Sequence, residues 1–271
     1  MKRPSYLRGL VEESEHVARG TKVLKIRLEE ELEASPGQFF MVWVPRIGEI
    51  PLSVADLEKD ELTFVIAKVG RVTSYISEEV KRGSEIFLRG PYGRAFSKPS
   101  GRALMVAGGR GLTPLYFLSK EIRRKKGEVD VLLGFRSRED VFFTREFEEL
   151  CEVEVATEDG SLGFKGTVLE LARGKLNEGK YEIVYTCGKE AMMFSLLGEV
   201  RRRGLRFEAS LERIMRCAIG ICGSCVLDPL GLRVCKDGPV FNGETLSKLT
   251  DFGRYWRLAS GEKTRIDRPS D

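Results

Sequence analysis

From residue 21 the chain alternates apolar and polar positions, with Leu24, Ile26 and Leu28 on one face, and short apolar runs follow at 39–44, 62–69 and 85–89. Turn residues separate them at Pro36-Gly37, Gly48, Gly83 and Gly90-Pro91-Tyr92-Gly93. Runs this short, punctuated by Gly and Pro, predict a small antiparallel β barrel, with room for one short helix at 72–80. The segment Ser97-Lys98-Pro99-Ser100-Gly101 reads as a linker, and after it the period changes. Apolar strands at 103–107, 129–135, 153–156 and 182–187 alternate with helical stretches near 112–126, 144–150, 166–174 and 189–203, and a fifth strand is expected near 206–209. This β-α alternation predicts an α/β unit with a parallel sheet of about five strands, whose ligands bind at the carboxyl ends of the strands. From Ser210 the alternation stops and a Gly- and Cys-rich segment takes over. The pattern therefore divides the chain into a barrel over 1–99, an α/β unit over 100–209 and a small C-terminal module over 210–271.

Charge narrows the function classes. The 271 residues hold 45 Lys+Arg against 41 Asp+Glu, a net +4, which argues against a nucleic-acid partner. The blocks Arg123-Arg124-Lys125-Lys126 and Arg201-Arg202-Arg203 fall at expected helix ends, where cations complement the helix dipole. No run approaches the ~18 apolar residues of a membrane span. Met1-Lys2-Arg3-Pro4-Ser5-Tyr6 leads into charged residues and not into an apolar leader, so a soluble, cytoplasmic protein is expected. The single histidine, His16, reads as a surface residue; that count removes Ser-His-Asp hydrolysis, Rieske centres and two-His iron sites. A chain of this size buries enough surface to fold unaided, so a metal here would serve function and not bare stability.

Four of the six cysteines, Cys217, Cys222, Cys225 and Cys235, form C-x4-C-x2-C with a fourth Cys after nine more residues, the spacing of a plant-type [2Fe–2S] loop. Small residues at Ala218, Gly220, Gly223 and Ser224 let backbone N–H groups approach the sulfurs. The competing reading is a four-thiolate zinc site, but such sites usually use two C-x2-C knuckles, and only Cys222 and Cys225 are so spaced. Cys151 reads as a small buried hydrophobe. Gly108-Gly109-Arg110-Gly111-Leu112-Thr113-Pro114 follows a strand and opens a helix, the setting in which a Gly-rich turn receives a phosphate; the same turn also suits tight strand-to-helix packing. The next strand ends in Gly134-Phe135-Arg136-Ser137-Arg138, without the acidic residue that holds a 2′-hydroxyl, which leaves NADH against NADPH open. A second junction, Thr186-Cys187-Gly188-Lys189-Glu190, lies across the expected switch point, where Cys187 either faces a nicotinamide or packs as a small residue. Taken singly, Pro51-Leu52-Ser53, the segment 69–74 and Gly90-Pro91-Tyr92-Gly93 are turn chemistry.

In this order the pieces resemble the ferredoxin–NADP reductase superfamily, a flavin-binding barrel followed by a pyridine-nucleotide domain. Pro36-Gly37-Gln38-Phe39 is similar to its first barrel turn, Pro51-Leu52-Ser53 to its flavin strand, Gly108–Pro114 and Cys187-Gly188 to its nucleotide turns, and Glu158-Asp159-Gly160-Ser161-Leu162-Gly163 to a further loop near the nucleotide. The C-terminal segments 211–217 and 228–241 resemble the electron-transfer subunits of B-type dihydroorotate dehydrogenase in their archaeal form, and the resemblance spans nearly the whole chain.

The resemblance implies an iron–sulfur flavoprotein oxidoreductase subunit that binds FAD, NAD(H) and a [2Fe–2S] cluster. On this reading Pro51, Leu52, Ser53, Ala67, Lys68, Val69, Thr73 and Ser74 lie against the flavin. Gly108, Gly109, Gly111, Thr113, Pro114 and Gly188 lie against the nucleotide, with Cys187 on the nicotinamide side, and Cys217, Cys222, Cys225 and Cys235 hold the cluster. The implied partner is an FMN-containing catalytic subunit that oxidises dihydroorotate in pyrimidine biosynthesis, in a heterotetramer of two copies of each chain. One position departs from the pattern: many relatives place Arg immediately before the Pro-x-Ser of the flavin strand, and this chain has Glu49-Ile50. Arg71 or Arg89 is expected to meet the flavin pyrophosphate instead. The runner-up is the small subunit of an NADH-dependent ferredoxin:NADP oxidoreductase or sulfide dehydrogenase, where an Asp typically replaces the first cluster Cys; Cys217 favours the dihydroorotate reading. A third reading, from another class, is a non-enzymatic iron–sulfur or zinc protein whose Gly-rich turns only pack, and it would purify without flavin.

Overall fold

The computed structural model describes residues 6–266, so the reading of residues 1–5 as part of a leaderless N-terminus lies outside the described residues. Six strands, β1 (Leu7–Ala18), β2 (Thr21–Leu28), β3 (Phe39–Val44), β4 (Gly48–Glu58), β5 (Glu61–Ala67) and β6 (Glu85–Tyr92), close into an antiparallel barrel in the order β1-β2-β5-β4-β3-β6. Alternation decides what fills it: Leu24, Ile26 and Leu28 point inward with Phe40, Val42, Phe64, Ile66, Ile86 and Leu88. The pattern had not marked β1. It is 12 residues long, polar on most positions and broken by irregularities at Val11/Glu13 and His16/Ala18, so no clean period-two signal survives. His16 is exposed, as its isolation suggested.

Helix α1 (Arg71–Glu79) crosses the barrel end where a helix was expected over 72–80. It has no basic residue in its last turn. Its final carbonyls are met from across the barrel by Lys22, which is 5 % exposed and donates from Nζ to Ile76 O, Ser77 O and Val80 O at 3.4, 3.0 and 2.7 Å. Lys22→Met is expected to cost about 2–3 kcal/mol, because it leaves buried carbonyls without a charged donor. Denaturant titration checks this, and a loss below about 1 kcal/mol contradicts it.

Past the barrel, β7 (Ala103–Gly108), α2 (Leu112–Arg124), β8 (Val129–Phe135), α3 (Thr144–Glu148), β9 (Glu152–Thr157), β10 (Phe164–Lys165), α4 (Val168–Leu176), β11 (Ile183–Cys187), α5 (Glu190–Arg202) and β12 (Arg206–Ser210) follow in turn. The tail holds β13 (Val226–Leu227), β14 (Leu232–Arg233), α6 (Val234–Asp237), β15 (Val240–Asn242), α7 (Gly243–Lys248), β16 (Tyr255–Arg257) and β17 (Lys263–Arg265). The large sheet runs β10-β9-β8-β7-β11-β12-β15. The five expected strands are its parallel centre. Two short ones were not legible: β10 at one edge, and β15, which comes from the tail and pairs antiparallel with β12 through Glu208↔Asn242 and Ser210↔Val240.

Both faces of the sheet's centre are covered, so β7, β8 and β11 read as near-continuous apolar runs. Leu104 and Val106 pack with Val168 and Ala172 of α4 and Met193 and Leu196 of α5, while Ala103, Met105 and Ala107 pack with Leu112 and Leu115 of α2. Helix α2 also reaches the barrel, burying Phe117 in the barrel core and placing Lys120 Nζ 2.5 Å from Asp56 and 2.6 Å from Glu58. The tail packs into the other face: Ala218, Cys225, Leu227, Cys235, Phe241 and Phe252 share one cluster with Phe39 and Met41 of the barrel and with the sheet.

Candidate redox site

The four clustered cysteines lie on the loop after β12 and at the start of α6, against the barrel. Cys222 is exposed, Cys217 half-buried, and Cys225 and Cys235 are buried. Their thiols group two and two, Cys217 with Cys222 and Cys225 with Cys235. Among the described residues no three Cys, His, Asp or Glu side chains gather as ligands around one metal ion. Two pairs of thiols suit a cluster of two irons better than a single tetrahedral zinc.

The loop favours negative sulfur. Burial alone would raise the Cys217 thiol, but backbone N–H groups of Cys222, Ile219 and Ile221 bring it down to about 6, and Ile221 N lies 3.4 Å from its Sγ. Cys225 falls to about 6 through its hydrogen bond with Cys235, and the Cys235 backbone N–H donates to Cys225 Sγ at 3.4 Å; Cys235 is correspondingly pushed up, first by that shared bond and then by burial. The turns that aim these N–H groups pass through left-handed backbone at Ala218, Gly220 and Gly223, with φ of 61°, 81° and 71°. The donor set therefore fits a [2Fe–2S] cluster.

At the switch point between β7 and β11 two glycine turns face each other. A Cβ on Gly111 would sit 2.2 Å from the Cys187 carbonyl oxygen, and one on Gly188, at φ 147°, would sit 3.0 Å from Gly108. Only bare backbone allows the start of α2 to approach the end of β11 this closely. Gly109 faces open space. Thr113 and Pro114 are buried, and the Thr113 hydroxyl donates to Arg110 O at 2.8 Å, so these two shape the turn from beneath and are not on its open side. Cys187 is 3 % exposed and burial pushes its thiol up, which places the sulfur in the core beside Ser210. In this structure the packing alternative for Cys187 describes the thiol better than an open nicotinamide-facing sulfur. The loop over 158–163 follows β9 and is tied to the segment after β8: Ser161 Oγ accepts from Arg138 N at 2.8 Å and donates to Asp159.

On the barrel, Pro51, Leu52 and Ser53 form a half-buried stretch of β4, whereas Val54 and Ala55 beyond them are sealed. The first turn of α1 lies beside the start of this strand, with Val72 against Gly48 and Arg71 donating to Ile47 O. Ala67 is half-buried, while Lys68 and Val69 are exposed, Val69 at 78 %. The Thr73 hydroxyl accepts from Val69 N and Gly70 N at 3.0 and 2.9 Å and fixes the turn, and Ser74 is half-buried one residue on. The structure thus brings the 51–53 and 67–74 positions to one end of the barrel.

The expectation for Arg89 is corrected. Its guanidinium grips both oxygens of Glu49 at 2.6 Å and donates to Cys217 O at 2.9 Å, so its donors are committed within the protein. Arg71, exposed at the start of α1, lies beside the start of β4. In the sequence Glu49 stands out only as a departure from the family pattern, and its charge, opposite to that of Arg89, is the signal for the pair.

A further pair escaped the sequence reading. Arg213 and Glu190 are a buried ion pair, with side chains 2 % and 4 % exposed, and Nη2 lies 3.0 Å from Oε2. Gly253 N donates to the same Oε2 at 3.1 Å, and the Trp256 ring lies 5.0 Å from the guanidinium. This pair ties the segment before the cysteine loop to the first turn of α5, next to the Cys187-Gly188 turn.

Comparison with known proteins bears on two of these segments. A family model described as the iron-sulfur cluster binding domain of dihydroorotate dehydrogenase B matches residues 212–247, and one described as an oxidoreductase NAD-binding domain matches residues 105–196. A protein of Methanocaldococcus jannaschii named probable dihydroorotate dehydrogenase B (NAD(+)), electron transfer subunit, is 39% identical over 236 residues, covering 87% of this chain and 90% of its own. An Archaeoglobus fulgidus protein of the same name is 43% identical over 218 residues, covering 79% and 89%. Among solved structures, an NADH-dependent reduced ferredoxin-NADP oxidoreductase studied for flavin-based electron bifurcation superposes with a TM-score of 0.80 at 29% identity over 92% of this chain and 91% of that one. With barrel, nucleotide turn and paired cysteines in this arrangement, and relatives of that identity over most of its length, the chain belongs to the family of dihydroorotate dehydrogenase B (NAD(+)) electron transfer subunits.

Proposed function

We propose that this chain is the electron-transfer subunit that couples the oxidation of dihydroorotate, carried out on a catalytic partner subunit, to the reduction of NAD+. The observation that carries this is convergence: the cysteine loop packs on the barrel through Arg89 and Cys217 O, and the following tail packs on the Gly90–Gly93 turn through Arg94 N and Gly238 O at 2.6 Å. FAD, when bound, supplies the exchange between the two-electron chemistry of a nicotinamide and the one-electron chemistry of a cluster.

The residues divide that task. Segment 1–99 offers the flavin a half-buried strand at Pro51, Leu52 and Ser53, with the turn at Ala67, Lys68, Val69, Thr73 and Ser74 beside it and Arg71 to meet its phosphates. Segment 100–209 offers NAD the half-buried backbone of Gly108, Gly109 and Gly188, with Gly111, Thr113, Pro114 and Cys187 buried beneath it. Segment 210–271 binds the [2Fe–2S] cluster through Cys217, Cys222, Cys225 and Cys235. Cys222 and the neighbouring Ile221, 76 % exposed, turn this edge toward the partner, which on this reading carries FMN and assembles with the chain as a heterotetramer of two copies of each. At 29% identity the likeness to the ferredoxin-NADP oxidoreductase carries less weight than the 39% and 43% relatives.

An absorption spectrum of the chain purified without air, before and after dithionite, tests the cofactor set. Flavin bands near ~450 nm over a broad envelope that bleaches on reduction are expected. A colourless chain carrying zinc contradicts the reading. Failure of the chain and its FMN partner together to reduce NAD+ with dihydroorotate contradicts the substrate.

A further inference from the structure

Arg89 sits near the end of β6, where the barrel meets the cysteine loop, 128 residues away in the chain from Cys217. Its side chain is 11 % exposed and that of Glu49 is 19 %. Two of its nitrogens form the bidentate pair with Glu49, and Nη1 turns the other way to the Cys217 carbonyl at 2.9 Å and the Tyr92 hydroxyl at 3.5 Å. The guanidinium also lies 5.6 Å from the Tyr92 ring, and Tyr6 donates to Glu49 at 3.0 Å from the outer side. A positive charge is thus fixed one carbonyl away from a cysteine of the cluster loop and is balanced by a carboxylate behind it. Net charge and hydrogen bonding around an iron–sulfur centre tune its potential. One-electron reduction adds negative charge to the cluster, so an unbalanced cation there favours the reduced form and an unbalanced anion disfavours it.

We propose that Glu49 and Arg89 are positioning residues that clamp the backbone of Cys217 to the barrel and balance the charge beside the cluster, so that removing one partner shifts the cluster's reduction potential in a direction set by the charge left behind. This deepens the functional reading above and rests on its cluster assignment. The test is a redox titration of the full chain, followed by the electron paramagnetic resonance signal of the reduced cluster. Glu49→Gln is expected to raise the midpoint potential, Arg89→Gln to lower it, and the double variant to lie nearer the parent than either. A merely structural pair would lower thermal stability without this sign reversal. Unmoved potentials, or shifts of the same sign, in variants that retain the cluster overturn the inference. Should Arg89→Gln not fold, Glu49→Gln decides alone: an upward shift supports the clamp and an unchanged potential overturns it. A parent chain with no cluster signal overturns the functional reading itself, and this inference with it.

Discussion

Replacing Cys222 by serine is expected to reduce electron transfer to the catalytic partner by at least about 100-fold while sparing NADH oxidation by an artificial acceptor that draws directly from the flavin. Cys222 is the exposed member of the Cys217–Cys222 pair, so on the proposed assignment its loss removes one of two thiol ligands on that side and changes no residue of the barrel or of the Gly108–Gly188 turns. A hydroxyl is a poorer iron ligand than a thiolate at neutral pH because it gives up its proton far less readily. Parallel assays with the partner and with the artificial acceptor separate the two activities. Loss of both in a variant that still holds FAD would mean that electrons do not run in the order nucleotide, flavin, cluster. Cys151→Ala is the control: that thiol is pushed up to about 12 by burial, its Sγ donates to Phe147 O, and its removal should change neither activity.

The largest loss of stability is expected from Arg213→Met. The variant leaves Glu190 buried with its charge unpaired, a defect worth about 3–5 kcal/mol, or roughly 10 °C in melting temperature for a chain of this size. Burial lowers the Arg213 pKa to about 10, because desolvation penalises the charged guanidinium. The Arg213→Met/Glu190→Met double variant should recover most of the loss, since two apolar side chains of similar volume avoid the desolvation of both ions. Calorimetry of the single and double variants gives the coupling. A single-variant loss below about 1 kcal/mol would show that water reaches the pair.

The cysteine loop was legible because its pattern is local: Cys217, Cys222 and Cys225 are spaced along one loop among small residues. The glycine turns were legible for the same reason, although Thr113 and Pro114 proved to lie under the turn, because spacing does not say which side of a helix start faces a ligand. Strand β1 escaped since an irregular, mostly polar strand erases the period-two pattern, and β15 since three residues are too few to carry one.

The sequence by itself determined the order of barrel strands, β-α alternation and cysteine segment, and the spacing of the cysteines and the switch-point glycines, all of which depend on residues a few positions apart. The tertiary structure decided that Arg89 serves Glu49 and Cys217 and not a phosphate, that Arg213 finds Glu190, and that the tail completes the nucleotide sheet. With 45 basic and 41 acidic residues, local pattern leaves the choice of charge partner almost unconstrained. Desolvation inside the folded chain makes that choice, because a buried ion is stable only where the fold delivers its opposite.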